Sequence, residues 1–227
     1  MGTGGCRELP AHHGRLHAAV GTEEHVLLHR PGAAFHPELK GYARALPRTL
    51  VTPLTVPVFR RLPVLRRDPP AVRNVVLNSG LTVRVHQPRY GSNGSALLWI
   101  HGGGYMLDDR TGAAADPDAA KRRLWNVASN RRGWASYLGG ADPDRAVPAR
   151  REDLSGLAPA WIGAGTFDVL HEEAVRYSGR LEASGVCTEL VTVPGAFHGF
   201  DAVAPKTAVA RNFVRAQGAW LRNQLVE

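Results

Sequence analysis

Three short stretches of this sequence hold the residue types that acyl transfer requires. The first, Leu97-Leu98-Trp99-Ile100-His101-Gly102-Gly103-Gly104-Tyr105, is an apolar run of strand length that stops at a histidine and three glycines. Glycine lets backbone take unusual dihedrals and lets a ligand come close, so such a loop can aim bare N–H groups at a developing negative charge. The second, Gly163-Ala164-Gly165-Thr166-Phe167-Asp168, ends an apolar run on an acid. The third, Gly195-Ala196-Phe197-His198-Gly199-Phe200, supplies a histidine thirty positions after that acid. Acyl transfer on serine needs a nucleophile, a histidine to take its proton, an acid to orient the histidine, and donors for the oxyanion. Three of the four are present, in that order. Taken singly, Asp168 is equally a helix N-cap ahead of Val169, and His198 a loop histidine bonded to backbone. The glycine loop and the order acid-then-histidine favour the acid–base roles.

The elements that would position these residues follow from patterning. Val72 to Leu77 and Leu81 to Val85 are β-rich and separated by Asn78-Ser79-Gly80, which predicts a hairpin. Ala96 to Ile100 reads as a buried strand running into the glycine loop. Ala160 to Ala164 is a short strand, and Val169 to Ser184 an amphipathic helix with Leu170, Ala174, Tyr177 and Leu181 on one stripe. Gly185 is its expected stop. Cys187 to Val193 alternates as a strand, and Thr207 to Leu225 forms a last amphipathic helix with Val209, Phe213, Ala216, Trp220 and Leu221 inward. Strand, helix, strand, helix predicts a parallel sheet with covering helices, an α/β fold. Upstream, His36 to Leu62 suggests one or two short helices broken by Pro47, Pro53 and Pro57. Residues 1–35 form a weakly patterned leader, and 36–227 a single α/β domain. Residues 105–160 have no strand-like segment; a short helix over Lys121 to Asn130 and an apolar patch at Trp134 to Leu138 are expected there.

Bulk properties narrow the function classes. A chain of 227 residues, 44% hydrophobic and 21% charged, has the composition of a globular protein with room for a substantial core. No apolar stretch approaches the roughly 18–20 residues that span a bilayer. The first 22 residues have no signal-peptide core, which reads as a cytoplasmic protein with no membrane partner. Cys6 and Cys187 are expected to be reduced thiols. The net charge of +8 admits a nucleic-acid partner. Yet the arginine pairs (Arg60-Arg61, Arg66-Arg67, Arg131-Arg132, Arg150-Arg151) are scattered and not interleaved with aromatics, so no nucleic acid is expected. His13 and His17 stand four apart without a third ligand, so no metal site is assigned.

The stretches Leu97–Met106, Trp134–Leu138 and Asp153–Asp201 resemble the hormone-sensitive-lipase family of carboxylesterases, within the α/β-hydrolase superfamily. The resemblance rests on His101-Gly102-Gly103-Gly104-Tyr105, Asp153-Leu154-Ser155-Gly156-Leu157, Gly165-Thr166-Phe167-Asp168 and Pro194-Gly195-Ala196-Phe197-His198-Gly199-Phe200. It implies a mostly parallel sheet with covering helices, Gly103 and Gly104 as oxyanion donors on a loop supported by His101 and Gly102, Asp168 as the acid and His198 as the base. It also implies a small-molecule acyl ester as substrate and no cofactor. The family's serine lies in a Gly-Asp-Ser-Ala-Gly elbow, and this sequence contains no G-x-S-x-G. Between Gly104 and Trp161 the serines are Ser129, Ser136 and Ser155, none in a strand–turn–helix setting. Three strand–helix units would need roughly 60–75 residues, and 56 run from 105 to 160. The expectation is an esterase scaffold whose central strands and nucleophile have been deleted, with a join near Met106 to Ala120 and little or no serine-dependent activity. Apolar strand edges would be exposed unless the two halves of the sheet re-pair. The competing readings are a non-catalytic remnant that binds a small ligand or a partner and, behind it, a basic nucleic-acid binder.

Overall fold

The computed structural model describes residues 34–50, 52–55, 72–78, 82–87 and 118–225. The chain divides into two units, residues 53–100 and residues 1–52 with 101–226. In the first, β1 (Val72–Val76) and β2 (Thr82–His86) pair antiparallel, from Val72 opposite His86 to Val76 opposite Thr82. This is the hairpin expected from the two β-rich runs. The strand expected at Ala96 to Ile100, the His101–Gly104 loop and the join expected near Met106 lie outside the described residues.

The second unit is built on two parallel strands, β3 (Ala160–Phe167) and β4 (Thr188–Phe197). Ahead of them come α1 (Lys40–Ala45), α2 (Val127–Leu138) and the single turn α3 (Pro143–Ala146). The connection between the strands carries α4 (His171–Ala183), and the turn α5 (Phe200–Val203) and α6 (Ala208–Leu225) follow β4. Parallel strands need such a crossover, and the strand–helix–strand–helix order expected from the sequence is the one observed.

The helix α4 ends where Gly185 was expected to stop it. Val186 N–H donates to the Leu181 carbonyl and Gly185 N–H to that of Glu182, with Gly185 at φ 79°. The pattern is a Schellman cap, and its usual apolar contact is present, because Leu181 and Val186 pack together with Leu154. Along α6, Trp220 is buried and Phe213 lies edge-on to Trp161 and Phe200, with centroids 5.2 and 5.0 Å away.

The principal core gathers Phe167, Val193, Ala196 and Phe197 from the strands, Leu39 and Ala43 from α1 and the 3-10 turn before it, and Phe200, Ala204 and Ala210 from the C-terminal segment. Phe35 closes it with its ring 5.2 Å from that of Phe167.

Two expectations are corrected. No helix runs from Lys121 to Asn130: the helix α2 begins at Val127, capped by the Asn126 side chain, which accepts from Ser129 N–H at 2.9 Å. Leu124 sits at φ 65°, a left-handed conformation that no helix admits. The apolar patch at Trp134 is the last turn of that helix. Cys187, expected as a free thiol, is disulfide-bonded. Among the described residues no helix is long and apolar enough to cross a membrane.

Candidate active site

The two strands bring Asp168 and His198 together through a change of register. Ala160 faces Thr188 and Gly165 faces Val193, so paired residues are 28 positions apart. Past an irregularity in β4, Phe167 faces Phe197, and the separation becomes 30. Asp168 and His198 are the next residue on each strand and are themselves 30 apart, so they leave the sheet side by side.

The irregularity is built from glycine. Gly195 has φ 70°, and a Cβ there would run into the backbone at His36 and Phe35. On the facing strand, a Cβ at Gly165 would strike the Ala196 backbone. Two hydrogen bonds fix the bulge: Gly195 N–H donates to the buried Thr166 hydroxyl at 2.8 Å, and His36 N–H donates to the Gly195 carbonyl at 3.0 Å. Sheet bulges of this kind re-aim a side chain next to a site.

Asp168 serves two masters, one oxygen each. Oδ1 accepts from Leu170 N–H at 3.0 Å, and Oδ2 meets His198 Nδ1 at 2.8 Å. Asp168 is not the N-cap of α4: that position is Leu170, with no side-chain cap bond, and Oδ1 instead closes a turn ahead of the helix, which starts at His171 rather than Val169. Burial alone would raise the Asp168 pKa. The His198 charge and hydrogen bond, the Leu170 N–H and the Arg122 charge overcome it and hold the carboxyl below the usual carboxylate range. Burial likewise pulls His198 down, while the charge and hydrogen bond of Asp168, with Asp201, carry its imidazole above the ordinary histidine value. The Asp168 side chain is 12% exposed and that of His198 36%.

The segment expected as the start of a helix packs on His198 instead. Trp125 stacks on the His198 imidazole, centroids 5.9 Å apart and planes 29° apart, with its indole N–H bonded to Asn130 Oδ1 at 3.3 Å. Trp125 is set by the turn at Leu124, where Trp125 N–H reaches back to the Arg123 carbonyl at 2.7 Å. Leu124 is clamped on both sides, its N–H on Pro47 and its carbonyl on Leu50 N–H. Left-handed backbone at a non-glycine residue costs on the order of 1–3 kcal/mol and collects at functional sites. Lys121, bonded to the buried Asp118 at 2.9 Å, lies over the face of Phe167. Nothing in the local pattern of Leu124 or Trp125 announces this role; only the Asn126-x-x-Ser129 cap was there to be read.

No described serine bonds to His198. Ser155 is exposed and held by the Asp153 carboxylate at 2.6 Å, while Ser129 and Ser178 are buried on helices. The candidate oxyanion residues Gly103 and Gly104, and His101 and Gly102 beside them, lie outside the described residues. Among the described residues no cluster of three or more His, Cys, Asp or Glu is arranged to hold a metal ion.

An acid at a strand's end, paired with a histidine on the loop after the next strand, is matched by family: residues 96–202 fit the sequence profile of the α/β-hydrolase fold. The chain carries part of an α/β-hydrolase fold. Its relatives are esterases of the kind the motifs resemble. Carboxylesterase NlhH of Mycobacterium tuberculosis is 43% identical over 61 residues, 26% of this chain and 19% of the relative. An acetyl-hydrolase of Streptomyces hygroscopicus is 32% identical over 113 residues, 49% of this chain and 38% of the relative. The chain thus spans less than two fifths of the length of the curated relatives it matches. Among solved structures, esterase LipW from Mycobacterium marinum is 32% identical with a TM-score of 0.45, covering 52% of this chain and 38% of that one. DphMB1 superposes with a TM-score of 0.58 at 20% identity over 86% of this chain and 99% of that one, a likeness of fold alone.

Proposed function

We propose that this chain is an ester-hydrolase scaffold of the hormone-sensitive-lipase type, directed at short-chain acyl esters, that keeps the acid–base half of the serine mechanism and has little or no serine-dependent turnover. The observation that carries this reading is the 2.8 Å contact between Asp168 and His198 in a chain with no G-x-S-x-G elbow. In the complete mechanism the acid fixes the tautomer, so that the free ring nitrogen removes a hydroxyl proton and later returns it to the leaving alkoxide. Asp168 does the first part here. The second part needs a hydroxyl within about 2.6–3.2 Å of Nε2, and no described serine supplies one. In this reading Gly103 and Gly104 act as the oxyanion donors and no cofactor takes part. The names of the relatives, a carboxylesterase and an acetyl-hydrolase, support the substrate class.

The test is hydrolysis of an unactivated alkyl ester such as ethyl butyrate, followed by acid release, together with labelling by a fluorophosphonate and peptide mapping. No acid release and no labelled serine, on protein with native circular dichroism, is the expected result. Turnover with one labelled serine overturns the reading and names the nucleophile.

A further inference from the structure

The hydrogen bond to Asp168 leaves the other edge of the His198 ring chemically competent. Nδ1 faces the carboxylate and carries the proton, so the lone pair of the neutral ring lies on Nε2. Among the described residues nothing hydrogen-bonds Nε2, and the side chain is 36% exposed. Trp125 stacks against a face of the ring and not on its Nε2 edge. Asp168 and Asp201 raise the basicity of this nitrogen, and a more basic imidazole is a stronger nucleophile.

We propose that His198 Nε2 is itself an acyl acceptor, and that the chain's intrinsic substrates are activated acyl esters, whose leaving group departs without being protonated. The inference rests on reading Asp168–His198 as the acid–base half of a hydrolase site. The Nε2 lone pair forms a bond to the carbonyl carbon, and the C–O bond to the leaving group breaks, its electron pair departing as a phenolate. The acyl-imidazolium passes its Nδ1 proton to Asp168, and from there to water. A water molecule then attacks the neutral acyl-imidazole, releasing the carboxylic acid and restoring the Nδ1–H ring. One ester and one water give one acid and one phenol.

A substrate preference follows from this step. In a serine triad the histidine protonates the departing alkoxide, so alkyl and aryl esters both react. A histidine engaged as the nucleophile has no proton to give at Nε2, and alkyl esters, with their poor leaving groups, stay intact.

The experiment uses two probes on the full chain at pH 8. Release of p-nitrophenol from p-nitrophenyl acetate reports the rate, and p-nitrophenyl dimethylcarbamate, whose adduct hydrolyses slowly, reports the acceptor by peptide mapping. The expected result is a carbamoyl group on His198, p-nitrophenol release above that of protein-free buffer, and no hydrolysis of ethyl acetate. His198→Gln should remove the rate above buffer. Asp168→Asn should slow it at least about tenfold, since an amide partner frees the tautomer that the carboxylate holds. Carbamoylation confined to lysines and the amino terminus, with an unchanged rate in His198→Gln, overturns the proposal. The wild-type map decides even where a variant fails to fold. A carbamoylated serine with ethyl acetate turnover overturns it differently, because it also removes the reading of the site as lacking a nucleophile.

Discussion

Asp168 shows how much chemistry two carboxylate oxygens can organise. Oδ1 closes the turn at Leu170 and Oδ2 holds an imidazole. The sequence offered cap and acid as alternatives because a motif records residue type and not where the helix begins, and the helix begins at His171, with Leu170 as its N-cap. The pair also makes stability depend on pH. The folded-state pKa of His198 is raised, so its contribution is complete below the unfolded value of about 6.5 and fades as pH rises through the folded value. That of Asp168 is lowered, so its contribution is complete above the unfolded value of about 3.9 and fades as pH falls through the folded value. Both are present together between about pH 4 and pH 6.5. Thermal melts of wild type and Asp168→Asn across pH 4 to 9 should therefore diverge most in that window and by less at pH 9, where only the Asp168 part remains. The scale is on the order of 2–4 °C for each kcal/mol in a chain of this size. Equal differences at pH 5.5 and pH 9 would contradict a charge-paired His198. Trp125 marks the limit of legibility at this scale. Its stacking on His198 depends on a left-handed Leu124, and leucine gives no hint of that conformation in sequence.

The elements were largely legible, and their boundaries moved for identifiable reasons. The strands and the two long amphipathic helices follow from periodicities of two and 3.6 residues, which is why their order was recovered. The run Ala160 to Ala164 extends to Phe167 because small residues let β4 approach closely, as Gly165 does beneath Ala196. The run Cys187 to Val193 extends to Phe197 through the bulge. Pro194-Gly195 looked like a turn that ends the strand, since a bulge and a turn use the same residues. The bulge depends on one side chain, and Thr166→Val tests it. The substitution keeps the shape of Thr166 but leaves the buried Gly195 N–H without its acceptor. It should cost about 1–3 kcal/mol in urea unfolding, and it should broaden or remove the His198 Nδ1 proton resonance in NMR spectra. A variant with wild-type stability and an unaltered resonance would show that Thr166 does not hold the register.

At the scale of the molecule, one cluster ties the site to the rest of its unit. Phe167, fully buried one residue before Asp168, is packed with Leu39, Ala43 and Phe197, and with Phe35 at its edge. The segment around residues 35–45 was legible as a short helix but not as the lid of this core, because packing partners 120 and more residues apart leave no periodic trace. Phe167→Ala should lower stability by about 3–5 kcal/mol, read from the midpoint of chemical unfolding, with the tryptophan and far-UV signals moving together. A loss below about 1 kcal/mol would mean that the cluster does not hold this unit together. The insertion in β4 has a final consequence, for parity. Two residues, not one, are added between the paired positions, and side chains alternate sides along a strand. Ala196, Phe197 and His198 therefore keep the sides they would have had without the insertion. Removing both Pro194 and Gly195 would leave Ala196 alone opposite Thr166, an unbulged ladder that keeps Phe197 opposite Phe167 and His198 beside Asp168. Removing one would turn Phe197 out of the core and His198 away from the acid. The spacing of the dyad is thus written in whole pleats, and length variation in this loop is tolerable only in steps that keep the pair in phase.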